Sequence, residues 1–154
     1  MLESRQYVGA DIWRFFSEGQ VQDYCIEPSD EYSNTLLILT DGYLYHDNSV
    51  QRIGNRTSYV TGPLLQREGL RESTGLQKIS DDDYGLIDTP KLSSQLSALI
   101  VEVNPSDANK GDYSILDQYL GKWFNTMGVD KYRLLKTDIP ANTKEIIQRF
   151  LQQR

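Results

Sequence analysis

Four apolar residues, Leu36-Leu37-Ile38-Leu39, run directly into Thr40-Asp41-Gly42. A run this short reads as a strand, since helices of globular domains need roughly ten residues or more. It is apolar on both faces, so its sheet must be covered on both sides, the usual state of parallel sheets. The chain then places a carboxylate and a glycine at the strand's carboxyl end, where open α/β sheets hold ligands.

The other elements follow the same logic. Ala98-Leu99-Ile100-Val101-Glu102-Val103 is a second apolar strand, stopped by Asn104-Pro105. Asp112 caps a helix on which Leu116, Tyr119, Leu120, Trp123 and Met127 share one face, and Gly128 ends it. Tyr132-Arg133-Leu134-Leu135 is a third strand, ended by Thr137-Asp138-Ile139-Pro140. Asn142 and Glu145 make a capping-box-like start for a last helix, with Ile146, Ile147, Phe150 and Leu151 on its apolar face. Near the start, Ile12, Trp13, Phe15 and Phe16 form a short helix after Gly9-Ala10-Asp11. Gly54-Asn55 predicts a hairpin that returns Thr57-Ser58-Tyr59-Val60 onto Leu44–His46. Thr61 to Leu92 carries Gly, Pro, Ser and Asp throughout and reads as irregular, with one short helix.

Strands alternating with helices require crossover connections and hence parallel pairing. The expected fold is one α/β domain over residues 1–154. It is Rossmann-like, a mostly parallel sheet with flanking helices and an irregular or hairpin excursion after the first strand. Residues 34–41, 98–104 and 131–136 are its neighbouring strands. That topology puts Asp41, Asn104, Thr137 and Asp138 on one sheet edge.

Composition narrows the partners. A formal net charge of −6 opposes a phosphate backbone, so no nucleic-acid partner is expected. No apolar stretch approaches the length of a membrane span, so no membrane insertion is expected. The polar start Met1-Leu2-Glu3-Ser4 is not a signal peptide, which points to the cytoplasm if Met1 is the true start. Cys25 is the single cysteine and reads as a half-buried apolar residue.

The strand-end oxygens of Asp41, Asn104, Thr137 and Asp138 are of the kind that hold Mg2+. Aspartates at strand ends also cap turns and helices, which is their everyday use. Asp81-Asp82-Asp83 lacks the spacing of a calcium loop and reads as a solvated loop. His46 is the only histidine and has no Gly-x-Ser-x-Gly partner motif, so a structural or solvent-exposed position is expected. The sequence contains no Walker A loop, no Gly-x-Gly-x-x-Gly and no His-Glu-x-x-His.

Leu-Leu-Ile-Leu-Thr-Asp-Gly at 36–42 resembles the fourth strand of von Willebrand factor type A domains, which ends in Thr-Asp-Gly. Gly9-Ala10-Asp11-Ile12 is similar to that family's Gly-Thr-Asp-(Leu/Ile) element, and the later strands and helices follow the family's order. The resemblance covers only the C-terminal half of the family's domain. It implies a non-enzymatic protein-interaction module from a bacterial protein. It also implies an adhesion-type metal site to which this chain brings Asp41 alone, because no Asp-x-Ser-x-Ser is present and Ala10 stands at the threonine position. Any Mg2+ is therefore expected to bind weakly. The alternative reading is a Mg2+-dependent phosphoryl-transfer or phosphate-binding protein that uses Asp41.

In that family the strand ending in Thr-Asp-Gly is paired on both sides. Here its first-strand neighbour is missing, which exposes an apolar edge. The expected partner is a protein, either a second copy in a homodimer or the missing N-terminal half-domain. The expected interface residues are Trp13 and Phe16 of the first helix and Leu36 and Ile38 of the strand.

Overall fold

The computed structural model describes residues 10–29, 31–93, 95–105, 109–129 and 131–152. Two short helices, α1 (Ile12–Ser17) and α2 (Gln20–Cys25), precede strand β1 (Asn34–Leu39). The excursion follows, with hairpin strands β2 (Arg52–Ile53) and β3 (Arg56–Thr57), helices α3 (Gly62–Arg67) and α4 (Gly75–Asp81), and strand β4 (Gly85–Leu86). The chain closes with β5 (Leu96–Val103), α5 (Asp112–Met127), β6 (Lys131–Lys136) and α6 (Pro140–Gln152).

The main sheet has the order β1-β5-β6 and both of its pairings are parallel. This is the arrangement expected for the three strands. Leu36 pairs with Ala98 and Ile38 with Ile100, while Ile100 also pairs with Leu134. β5 is therefore central, which explains why it is almost wholly buried. β1 is an edge strand and alternates half-buried with exposed residues.

The two faces of the sheet are covered unequally. Leu36, Ile38, Ala98, Ile100 and Leu134 join the large core that includes Leu116, Tyr119, Trp123 and Phe124 of α5. On the opposite face Leu99, Val101 and Leu135 meet Phe150 of α6, with Ile146 and Ile147 packed against them. The expected apolar face of α6 is thus filled in part, and Leu151 is exposed.

The stripe expected on α5 is buried, and so are Ile115, Gly121 and Phe124 beside it. Burial over so wide an arc means that α5 is covered from more than one side. Gly121 is the point of closest approach to the sheet. A Cβ there would come within 2.0 Å of the Tyr132 hydroxyl oxygen. α5 contacts β6 on the sheet side and β4 and α4 of the excursion on another.

The excursion is better ordered than its composition suggests. Gly54, at φ 59°, starts the two-residue loop between β2 and β3, with Arg52 opposite Thr57. Leu44 and Val60 exchange both backbone hydrogen bonds at 2.9 Å, which is the expected return. Residues 61–92 hold two helices and β4 where one short helix was expected. β4 joins β3 in parallel, Thr57 opposite Leu86, and two residues are too few to leave a periodic signal.

Two caps differ from expectation. Asp112 lies inside the first turn of α5, with Gly111 at the cap. α6 begins at Pro140, a favoured first helical residue, so Asn142 lies within the helix instead of capping it.

Candidate functional site

The carboxyl edge of the main sheet is assembled by backbone hydrogen bonds. The Asn104 N–H donates to the Asp41 carbonyl at 3.0 Å and the Thr137 N–H to the Val103 carbonyl at 3.2 Å. Asp41, Asn104 and Thr137 therefore stand along one edge, with Asp138 next to Thr137. Gly42 makes the turn possible. Its φ is 99°, and a Cβ there would meet Leu116 and Val103 side chains at 2.9 Å.

The side chains at this edge serve their own turns. Asp41 Oδ1 accepts the Tyr43 N–H at 3.0 Å, and the Thr40 hydroxyl oxygen accepts the Gly42 N–H at 3.1 Å. Asp138 accepts the Ile139 N–H at 2.7 Å and the Asn142 side-chain amide at 3.1 Å. The Asn142 hydrogen bond, joined by that of the Ile139 backbone, lowers the Asp138 carboxyl below its ordinary value. Ala10 is exposed, and Gly9 of the same element lies outside the described residues. Among the described residues no group of three or more His, Cys, Asp or Glu side chains is placed to hold a metal ion.

Behind this edge lies a buried ion pair that no local sequence pattern announces. Arg71 grips Asp112 with two donors, Nε to Oδ1 at 2.8 Å and Nη2 to Oδ2 at 2.6 Å. The Tyr43 hydroxyl donates to Asp112 Oδ2 at 2.5 Å. Asp112 is 1% exposed, and burial together with its neighbouring charge pushes the Tyr43 hydroxyl up to about 12. Both carboxylate oxygens have partners, so the cluster ties the β1 turn, the α3–α4 loop and α5 together. Asp81, Asp82 and Asp83 are exposed, as expected of a solvated loop, and from there Asp83 binds Arg56 at 2.8 Å and Lys122 of α5 at 2.7 Å.

His46 and Ser49 both meet Asp11. The Ser49 hydroxyl donates to Asp11 Oδ2, while His46 Nδ1 lies 3.3 Å from the same oxygen without the alignment of a hydrogen bond. Asp11 Oδ1 also caps α1 through the Arg14 N–H. Serine and histidine converge on the carboxylate and not on each other, so the geometry is a clamp and not a nucleophile relay. Cys25 is half-buried, and burial raises its thiol.

A shallow groove of about 880 Å3 opens at the other end of the strands, lined by Glu27, Ser29, Glu31, Tyr32, Asn34 and Gln95. Its Asn34 side chain is spent on closing the loop. The Asn34 side chain accepts the Glu27 N–H at 2.8 Å and donates to the Glu27 and Gln95 carbonyls.

The outer side of β1 is different. Among the described residues β1 pairs with β5 alone. The Thr40 N–H points at β5, where it donates to the Val101 carbonyl. Backbone groups alternate sides along a strand, so those of Thr35, Leu37 and Leu39 point away from β5. Leu37 is 43% and Leu39 68% exposed. Leu36 and Ile38 instead turn toward the core, half-buried. Trp13 and Phe16 are core residues at 7% and 2% exposure, so they have little surface to offer a partner. Trp13 is further fixed by its indole N–H, which donates to the Ile87 carbonyl at 3.0 Å. The exposed side chains at this edge are thus Thr35, Leu37 and Leu39, while of the expected interface residues Leu36 and Ile38 are half-buried and Trp13 and Phe16 buried. Four apolar residues in a row hide which two face outward.

No protein-family model matches the chain, no curated protein matches its sequence and no solved structure matches its fold. No helix among the described residues is long and apolar enough to cross a membrane.

Proposed function

We propose that this chain is a non-enzymatic protein-interaction module, resembling a truncated von Willebrand factor type A domain, which takes an extended strand on the open side of β1. The observation that carries the reading is that edge. Thr35, Leu37 and Leu39 turn outward backbone groups that no strand among the described residues pairs, beside two exposed leucines. Natural sheets guard such edges with charge, proline or a bulge, and Asn34–Leu39 has none of these. Main-chain hydrogen bonds supply affinity in this mode and alternate side chains supply selectivity. The resemblance adds a reason for the edge to exist, since the family's domain has a further strand at this position.

The test is fluorescence anisotropy with a labelled, Lys-flanked peptide of alternating Val and Thr. We expect saturable binding that Leu37→Pro abolishes. The Leu37 N–H does not bond β5, so proline there spares the internal ladder while it blocks the outer side. No binding by the wild-type chain, with no self-association either, overturns the reading.

A further inference from the structure

We infer that the strand taken by β1 is β1 of a second copy, paired antiparallel about a two-fold axis that passes beside Leu37. This inference rests on the edge reading above and names its partner. The outward backbone groups belong to Thr35, Leu37 and Leu39, a set symmetric about Leu37. In an antiparallel pair centred there, Leu37 of one copy faces Leu37 of the other, and Thr35 faces Leu39. Every outward N–H and C=O then exchanges with a partner.

Other registers do worse. A shift of two residues one way sets the Thr35 N–H against the Asp41 carbonyl, which is already bonded to Asn104. A shift of two residues the other way brings Glu31 opposite Asp41 of the other copy. Like charges directly opposed across strands are unfavourable. In the centred register Asp41 falls opposite Ser33, and the whole span from Ser33 to Thr40 is uncharged. Two molecules of net charge −6 therefore meet through a neutral strip.

The side chains fit the same symmetry. A two-fold perpendicular to the sheet keeps the faces aligned, so the exposed Leu37 and Leu39 of both copies lie together on the α6 side. Leu36 lies opposite Ile38 on the α5 side. A parallel pairing by a two-fold along the strands would flip one sheet and set exposed leucines beside the core face of the other copy. The antiparallel pair is closed and isologous, so it stops at two chains and does not extend into a fibre.

The experiment is a charge swap at Leu37, followed by sedimentation velocity at several concentrations. The wild-type chain is expected to dimerise reversibly. Leu37→Glu and Leu37→Lys are each expected to weaken self-association about tenfold or more, because the axis sets each charge against itself. Mixed together, the two variants are expected to form a heterodimer. Thr35→Glu mixed with Leu39→Lys tests the neighbouring pair at exposed positions that do not endanger the fold. A wild-type monomer at high micromolar concentration overturns the inference. So does a dimer indifferent to both Leu37 variants, or the absence of heterodimer in both mixtures. If the wild-type chain is monomeric yet binds the Val-Thr peptide, self-pairing fails and the edge reading stands. If it does neither, both fall.

Discussion

The main sheet and the excursion between β1 and β5 are held by different forces. The sheet rests on long parallel ladders and on apolar side chains pressed against α5. The excursion lends Val60, Leu65, Ile79 and Leu86 to the same core, but its strands are two residues long. Ion pairs fasten it: Arg71 to Asp112, Arg56 to Asp83 and Asp88, Arg52 and Arg67 to Glu68, and Lys122 to Asp83. The contrast teaches that a segment of short elements is anchored by a few fully buried apolar side chains, with ion pairs added around them. Two of these ties run to α5, so the same helix serves both regions.

The largest expected effect lies where the regions share a core. Trp123 is 1% exposed and packs edge-on against Phe16, with ring centroids 4.8 Å apart. Trp123→Ala should cost about 3–5 kcal/mol in urea unfolding. A loss below about 1 kcal/mol would mean that α5 is not the shared strut.

Next comes the tie that belongs to the excursion. Asp112→Ala leaves the Arg71 guanidinium and the Tyr43 hydroxyl without their acceptor. About 2–3 kcal/mol is expected, toward the low side of buried pairs because Arg71 keeps some solvent contact. Hydrogen exchange should rise in residues 62–72 before it rises in 96–103. Equal acceleration in both would dissolve the distinction between the regions.

Acid should separate them more gently. Arg52, with Arg67 and Tyr84, holds the Glu68 carboxyl at about 2, against an ordinary 4.5. The Asp83 carboxyl is also lowered, through Arg56 and Lys122. A depressed carboxyl contributes its stability above the unfolded value and loses it as pH falls through the folded one. The excursion should therefore loosen between pH 4.5 and about 2, by about 1 kcal/mol for Glu68 after solvent screening. Glu68→Gln should remove the Glu68 share of that dependence and leave the Asp83 share, in an acid titration followed by hydrogen exchange. At the other extreme, burial raises the Tyr43 and Tyr119 hydroxyls to about 12. Their contribution is complete below the ordinary value of 10 and falls as pH climbs toward 12, which tyrosinate absorbance will follow.

The smallest effect is expected at the carboxyl edge. Asp41→Asn keeps an oxygen for the Tyr43 N–H, so stability should change by less than about 0.5 kcal/mol. Calorimetric titration with Mg2+ should give weak heats that the substitution leaves alone. Tight stoichiometric binding that vanishes in the variant would favour phosphoryl-transfer chemistry instead.

How much could be read from the sequence divides along the same line. β1, β5, β6 and the α5 stripe were legible because periodicity and apolar runs report burial directly. Their parallel order also placed Asp41, Asn104 and Thr137 on one edge. Gly54-Asn55 announced the hairpin through its turn chemistry. The excursion was not legible in the same way. Arg71 and Asp112 lie 41 residues apart, and Arg56 and Asp83 lie 27 apart. No local pattern marks such pairs, and charged residues in a loop look the same whether solvated or paired. The open face of β1 was hidden for a different reason: in Leu-Leu-Ile-Leu both faces read alike.

The order β1-β5-β6 also sets a schedule for synthesis. β1 leaves the ribosome about sixty residues before Leu96 of its neighbour β5. At ordinary elongation rates that gap lasts roughly 3–12 s. Through it an uncharged Leu-Leu-Ile-Leu segment is out in the cell with neither side of its backbone matched. The later arrival of β5 closes one side only. The nascent chain thus carries an apolar strand without its β5 ladder for a definite interval, between the emergence of Leu39 and that of Val103.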